Sequence, residues 1–400
     1  MAGTVQKDVA VGLDIGTSGI YVAVLKNGYG AKQELLGLGY SPSVGVEKGR
    51  IVNPEEAATA VKKAVADARA AAGVAFTSVY VNIDGPELAA GPGNVKRAIA
   101  RRQVIARRHL QELYRHLCET VLPAEWLVVQ LVNNSFYIDG KHVDRPLGCR
   151  GRELGMEAVV LAVPERQMEQ TLLCLRNADL KIAQTVAGPL AIAQTVLAGV
   201  ERQLGVVCVD IGAGITKATF INHGILYRLN VFPVGGGHIT ADLAVGLHTS
   251  LKAAERVKID YGLGSIAGHV NVPNLSGTDC NVISGELVHR IIRSRSEEIL
   301  EFVKQFIKNL KLEASLPGGI VLTGGGALLC ELPELARDYL KIPVRRGYNV
   351  LLEGKASEDA YRYTTAVGLA LWGTEHGQAN CEAMRMAEGG FVGRFKSWLR

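Results

Sequence analysis

The chain lacks the residue patterns that staple or metallate a fold. Its seven cysteines, at 118, 149, 174, 208, 280, 330 and 381, include no Cys-x-x-Cys pair, and its nine histidines include no His-x-x-x-His pair. That excludes zinc-ribbon and thioredoxin-type motifs and fits free thiols in a reducing compartment. No apolar run approaches the ~18 residues of a membrane span. No charged N-terminal stretch leads into an apolar core, so no secretory signal is expected. Neither sign of charge dominates: 44 basic against 39 acidic residues leave a net +5 over 400 residues. At 48% hydrophobic, the chain carries material for two or three cores.

What the chain does have is a repeated device. Val206–Thr219 reads VVCVDIGAGITKAT: an apolar strand ending in Asp210, then a turn of small residues, then a second strand. Val9–Ala23 reads VAVGLDIGTSGIYVA and repeats the pattern around Asp14. Glycines at such a turn let backbone N–H groups approach a phosphate, since no Cβ stands in the way. The carboxylate can hold Mg²⁺, an oxygen-seeking ion that usually keeps several waters. One copy would fit a plain β-turn with Asp and Gly in their usual places. Two copies imply two similar half-domains facing a cleft, each offering one Asp and one phosphate turn.

Between these turns the chain alternates strands and helices. Asn53-Pro54-Glu55-Glu56 reads as a capped helix start, and Asn27-Gly28 as a hairpin turn. Strands are expected at Phe76–Ile83 and Gly155–Val163. Strand, hairpin, strand, helix, strand is the opening of an α/β layer fold with a mixed sheet. Residues 86–150 change character and read as an inserted small domain. Its run Lys96, Arg97, Arg101, Arg102, Arg107, Arg108 contains no acid. It could meet nucleic acid or a membrane face; no aromatics interleave with it, which weakens the nucleic-acid reading, and a solvated helix face or a polymer contact fits better.

Two further glycine turns stand out. Val234-Gly235-Gly236-Gly237 runs into a helix expected near Thr240, a natural anion seat. Gly324-Gly325-Gly326 ends the strand in GIVLTGGGALLC, where backbone can press against a flat adenine or ribose. Glu255 and Lys258 lie three apart, on one helix face. Ser284–Ala314 carries a 3.6-residue apolar period and reads as a core helix, and Tyr363–Trp372 as a closing helix.

The end of the chain is different again. Residues 374–389 are small and polar, a linker reaching roughly 20–24 Å if flexible. Phe391, Val392, Phe395, Trp398 and Leu399 then form one helical stripe, with Arg394, Lys396 and Arg400 as the polar remainder. This is the pattern of a basic amphipathic helix lying on a membrane surface; a helix docked on the protein itself is the alternative. Each basic residue contributes about 1 kcal/mol near an anionic leaflet. Ordering the segment costs about 1–2 kcal/mol per residue. One tail therefore binds weakly, and firm attachment needs several tails on one polymer.

Asp14–Ser18 resembles the first phosphate loop of the actin-like ATPases, Asp210–Thr216 the second, and Gly324–Gly326 the adenosine loop. Within that superfamily the chain is similar to the FtsA family. The insertion at 86–150, in the place of the family's 1C subdomain, the turn PVGGGHI at Pro233–Ile239, and the tail carry that resemblance. It implies an α/β actin-like fold: two RNase H-like lobes around a nucleotide cleft, with a small α+β insertion. On this reading residues 1–85 and 151–204 form the core of the first lobe, around the insertion at 86–150. Residues 205–235 and 284–360 form the core of the second lobe, with 236–283 as its smaller subdomain. Residues 361–373 close onto the first lobe, 374–389 link, and 390–400 meet the membrane.

The resemblance implies ATP and Mg²⁺ as ligands. Asp14 and Asp210 would flank Mg²⁺ through water. Gly16, Thr17, Ser18, Gly212, Ala213 and Gly214 would touch the phosphates, Glu255 and Lys258 the ribose and adenine, with Gly324, Gly325 and Gly326 as the adenosine loop; Thr216 and Gly236 complete the expected nucleotide-binding set. The implied partners are FtsZ and other division proteins, further copies of the chain in filaments, and the cytoplasmic face of the cell membrane at the division site. At most slow ATP hydrolysis is expected. Family members often have Asp where Lys217 stands, and Lys217 either adds a phosphate contact or points away. A pilus scaffold of the PilM type is the main alternative, from which the tail distinguishes this chain. A small-molecule kinase of the superfamily would need a further acid in the cleft.

Overall fold

A computed structural model describes residues 9–26, 33–99, 103–311, 316–352 and 357–376. The Asn27-Gly28 turn and the C-terminal stripe at 390–400 lie outside the described residues.

The first lobe is built on β1 (Val9–Ile15), β2 (Gly19–Lys26) and β3 (Leu35–Pro42), an antiparallel meander. A small hairpin, β4 (Val46–Glu47) and β5 (Arg50–Ile51), leads into helix α1 (Pro54–Ala72). Asn53 caps α1 by accepting from the amides of Glu55 and Glu56, and Gly73, in the left-handed region at φ 67°, ends it. Strand β6 (Ser78–Ile83) then runs parallel to β1.

The insertion comes next. It contains β7 (Ala89–Ala98), helix α2 (Arg107–Val121), β8 (Trp126–Ile138), β9 (Lys141–Val143) and β10 (Glu153–Pro164). These strands form one sheet in the order β7-β10-β8-β9. The strand expected at 155–163 does form, but its partners are β7 and β8, so the inserted sheet closes only at Pro164. Leu110, Leu113, Tyr114 and Leu117 of α2 pack on Met156, Ala158 and Val160 in a core of its own. Of the basic run, Lys96 and Arg97 pair with Glu153 and Glu112 on the surface of this domain.

Helix α3 (Glu165–Asn177), strand β11 (Lys181–Ala187) and helices α4 (Gly188–Val196) and α5 (Gly199–Leu204) return to the first lobe. Its sheet has the order β11-β6-β1-β2-β3. The second lobe repeats that plan. Strands β12 (Val206–Ile211), β13 (Thr216–Asn222) and β14 (Ile225–Phe232) form the meander. Helices α6 (Gly236–Gly246) and α7 (Leu251–Tyr261), the hairpin β15 (His269–Pro273) and β16 (Cys280–Ser284), and helix α8 (Gly285–Asn309) follow. Strand β17 (Ile320–Thr323), helix α9 (Leu332–Leu340) and strand β18 (Val344–Arg346) complete a sheet in the order β14-β13-β12-β17-β18. In both lobes the meander is antiparallel and the next two strands are parallel to its first strand.

Each lobe has its own apolar core, and a third core joins Val206 and Cys208 to Val159, Leu161 and Ile192 between them. Helix α10 (Ser357–Arg362) leads into α11 (Thr364–His376), which lies on β1, β2 and α4. Contact is backbone to backbone there: a Cβ on Gly12 would stand 1.9 Å from the Ala366 carbonyl oxygen, and one on Gly368 2.1 Å from that of Ala191. Among the described residues no helix is long and apolar enough to cross a membrane.

Candidate functional site

The two carboxylate-tipped hairpins meet. They are built alike: the Gly16 amide donates to the Gly19 carbonyl at 3.1 Å, and the Gly212 amide to the Ile215 carbonyl at 2.9 Å. Thr17, Ser18, Ala213 and Gly214 lie at the turn tips, outside the ladder pairs Ile15–Ile20 and Ile211–Thr216. The tips touch, since a Cβ on Gly214 would stand 2.8 Å from Thr17 Oγ1 and 3.0 Å from Lys48 Cα. Thr17 Oγ1 also accepts from the Gly49 amide at 2.9 Å.

The glycine turns gather around the second hairpin. The Gly236 amide donates to the Gly212 carbonyl at 2.8 Å, and the Gly237 amide to the Ala213 carbonyl at 2.9 Å. Gly324, at φ 80°, lies so close that a Cβ there would stand 2.2 Å from Asp210 Oδ1, and one on Gly326 would stand 2.4 Å from Ile211 Cγ2. Gly325 faces open space. Arg346 holds this turn from behind by donating to the Ala327 and Leu329 carbonyls, both at 2.9 Å.

Glu255 and Lys258 project from α7 toward α6. Lys258 Nζ donates to Glu255 Oε2 at 2.7 Å, to Thr240 Oγ1 at 2.9 Å and to the Gly236 carbonyl at 3.2 Å. Gly236 is where these parts converge. A Cβ there would lie 3.7 Å from the Gly212 carbonyl oxygen, 3.7 Å from Gly326 Cα and 3.8 Å from Lys258 Nζ, all ordinary contact distances. The site residues expected from sequence are thus brought together, with one difference. Thr216 is buried, and its hydroxyl donates to the Val234 carbonyl at 2.8 Å, bracing the turn from inside.

A buried polar chain at the cleft base was only half visible in the sequence. Asn82 Nδ2 donates to Asp14 Oδ1 at 2.8 Å and to Asp84 Oδ2 at 2.9 Å, while its Oδ1 accepts from the Ile15 amide at 2.8 Å. Lys217 Nζ stands 3.0 Å from Asp84 Oδ2 and 2.8 Å from Asp210 Oδ2. The chain Asp14–Asn82–Asp84–Lys217–Asp210 therefore crosses from one lobe to the other. Burial alone would push the Lys217 ammonium below its ordinary pKa. Asp210 and Asp84, with Asp14 beyond, more than reverse this and raise it. Desolvation, reinforced by Asp84 and Asp210, pushes the Asp14 carboxyl up to about 8, against the opposing pull of Lys217 and of the Thr365 side chain.

This donor set does not fit Mg²⁺ held directly by both Asp14 and Asp210. Mg²⁺ takes oxygen ligands at about 2.0–2.1 Å in octahedral order. Asp210 Oδ2 already holds an ammonium, that of Lys217 at 2.8 Å. Lys217 thus takes neither course expected for it: it meets the carboxylates. The sequence signal was its register, since Lys217 is the ladder partner of Asp210, and paired residues of adjacent strands face one side. Asp84 left only a turn-like Asp-Gly-Pro.

The comparisons with known proteins follow the same geometry. The sequence profile of the family described as "Cell division protein FtsA" matches residues 207–368, which contain nearly all of the second hairpin, α7 and the glycine turn at Gly324–Gly326. The cell division protein FtsA of Pseudomonas aeruginosa is 29% identical over 399 residues, covering 98% of this chain and 94% of its own length. The chain is similar to the FtsA family of cell division proteins. Among solved structures, a chain of a PilM–PilN type IV pilus biogenesis complex matches with a TM-score of 0.67 at 20% identity, covering 92% of this chain and 98% of its own. MreB5 of Spiroplasma citri bound to ADP matches at 0.56 and 15%, covering 94% and 99%. These likenesses show the fold: this FtsA relative is actin-like.

Proposed function

We propose that this FtsA relative binds an adenine nucleotide between its lobes and serves as a division-site scaffold that attaches FtsZ polymers to the membrane. The observation that carries the nucleotide reading is the convergence on Gly236. The phosphate turn of the second lobe, the adenosine turn and Lys258 surround one spot that a single side chain would fill, and Thr17 of the first lobe's turn meets the tip of that phosphate turn at Gly214. The phosphates would lie against the turn-tip amides of Thr17, Ser18, Ala213 and Gly214, and the nucleoside against Gly324, Gly325 and Gly326, with Glu255 and Lys258 at its edge. An ADP-bound relative by fold, MreB5, supports the class of ligand. Binding and polymer control, rather than turnover, is the role assigned to the nucleotide.

Titrating the full chain with a fluorescent ADP analogue tests this. Saturable binding competed by ADP is expected. Gly236→Val should weaken it at least tenfold while the thermal midpoint stays near that of the wild type, because the added carbons meet the cleft at contact distance. Equal affinity of the two proteins would remove the site.

The scaffold reading rests on the family and on the tail stripe Phe391, Val392, Arg394, Phe395, Lys396, Trp398, Leu399 and Arg400. Its linker and Trp favour a membrane over a docked helix, and favour FtsA-type work over PilM-type work. Pelleting with anionic liposomes should be lost in Phe395→Glu/Trp398→Glu, and should be stronger for polymer than for monomer. Unchanged pelleting of the double variant would rule the tail out as the anchor.

A further inference from the structure

Three carboxyl groups crowd the base of the cleft: Asp14 and Asp84 from the first lobe and Asp210 from the second. A divalent metal is the expected solution to such a cluster in an actin-like fold. Here the chain supplies its own cation. Lys217 is 5% exposed, so its ammonium has traded water for two carboxylates, at 2.8 and 3.0 Å. Such an exchange is tolerated only where the charge is compensated on several sides. Asp84 is fixed for the purpose: Asn82 holds its Oδ2, Gln167 Nε2 donates to its backbone carbonyl, and Gly188 at the start of α4 leaves room for its Oδ1. Because Asp84 and Lys217 belong to different lobes, this contact also sets how the lobes close.

We propose that the Lys217 ammonium is the resident cation of this cleft, bridging Asp84 of one lobe to Asp210 of the other in place of a divalent metal, so that the protein closes and takes its nucleotide without Mg²⁺. The nucleotide half rests on the function proposed above. The bridge half does not.

Two measurements on the full chain separate them. The first is the affinity for a fluorescent ADP analogue in millimolar Mg²⁺ and in excess EDTA. The wild type should differ by less than threefold. Lys217→Asp, which replaces the ammonium with a fourth carboxylate, should bind at least tenfold more tightly with Mg²⁺ than without. A tenfold loss in EDTA for the wild type would overturn the proposal.

The second is the thermal midpoint of nucleotide-free protein against Mg²⁺ concentration. It should be flat for the wild type and rise for Lys217→Asp. A Mg²⁺-dependent rise in the wild type would overturn the bridge. If the analogue binds under neither condition, the nucleotide reading fails and the thermal series alone decides the bridge. If Lys217→Asp does not fold, Lys217→Gln, which removes the charge at similar length, takes its place and should also gain a Mg²⁺ dependence.

Discussion

The two lobes pose the same problem and solve it differently. Both place an aspartate at the end of the first meander strand, and both close the next turn with a glycine amide. In the first lobe the ladder partner of Asp14 is Tyr21; in the second the partner of Asp210 is Lys217. Tyr21 packs tilted against Tyr40 and edge-on against Tyr363 and shares a hydrogen bond with Ser18. It braces the first turn without adding charge. Lys217 neutralises, and in doing so reaches across to Asp84. One duplicated device thus became a rigid wall on one side and a charged latch on the other. A single position, the residue opposite the aspartate, carries the difference.

That contrast breaks most easily at the latch. Lys217→Met strands Asp84 and Asp210 in a nearly dry site, and removing one member of a buried pair typically costs about 3–5 kcal/mol. Urea unfolding of nucleotide-free protein should show a loss of that size, and a change below about 1 kcal/mol would mean the bridge holds nothing.

Asp14 should give a smaller effect with a distinctive pH dependence. Its folded carboxyl keeps its proton up to about 8, while the unfolded chain releases it near 3.8. The folded state therefore binds more protons across that window, and stability falls as pH rises through it. Asp14→Asn removes this slope. Because Asp14 is only partly covered, the variant should gain on the order of 1–3 kcal/mol over the wild type by about pH 8, and little near about pH 4. Parallel curves for the two proteins would contradict the assignment.

The smallest effect is expected at the wall. Tyr21→Phe keeps the ring contacts and loses one hydroxyl bond, about 0.5–1.5 kcal/mol. It should leave the Mg²⁺ response of the protein unchanged, which distinguishes the two ladder partners directly.

Much of this arrangement is legible in the sequence because it is local. Strand, aspartate and small-residue turn lie within a dozen residues, and Asn53 announces α1 by its own hydrogen bonds. Glu255 and Lys258 share a helix face by spacing alone, and they do meet. What the sequence hides is long-range. Lys217 and Asp84 are 133 residues apart, and only the packing of one lobe on the other joins them. Strand β10 has the same apolar run whether it joins the lobe or the insertion; its partners β7 and β8 decide. Thr216 sits in a phosphate-loop pattern, yet the strand's alternation turns its hydroxyl inward to Val234.

A crystal structure of the full chain grown with ADP and Mg²⁺ tests the whole account most directly. The phosphates should lie against the amides of Thr17, Ser18, Ala213 and Gly214, with the base beside Gly326 and Lys258, and with Lys217 still bridging Asp84 and Asp210. A nucleotide bound elsewhere, or a metal ion seated between Asp14 and Asp210 with Lys217 swung away, would contradict it.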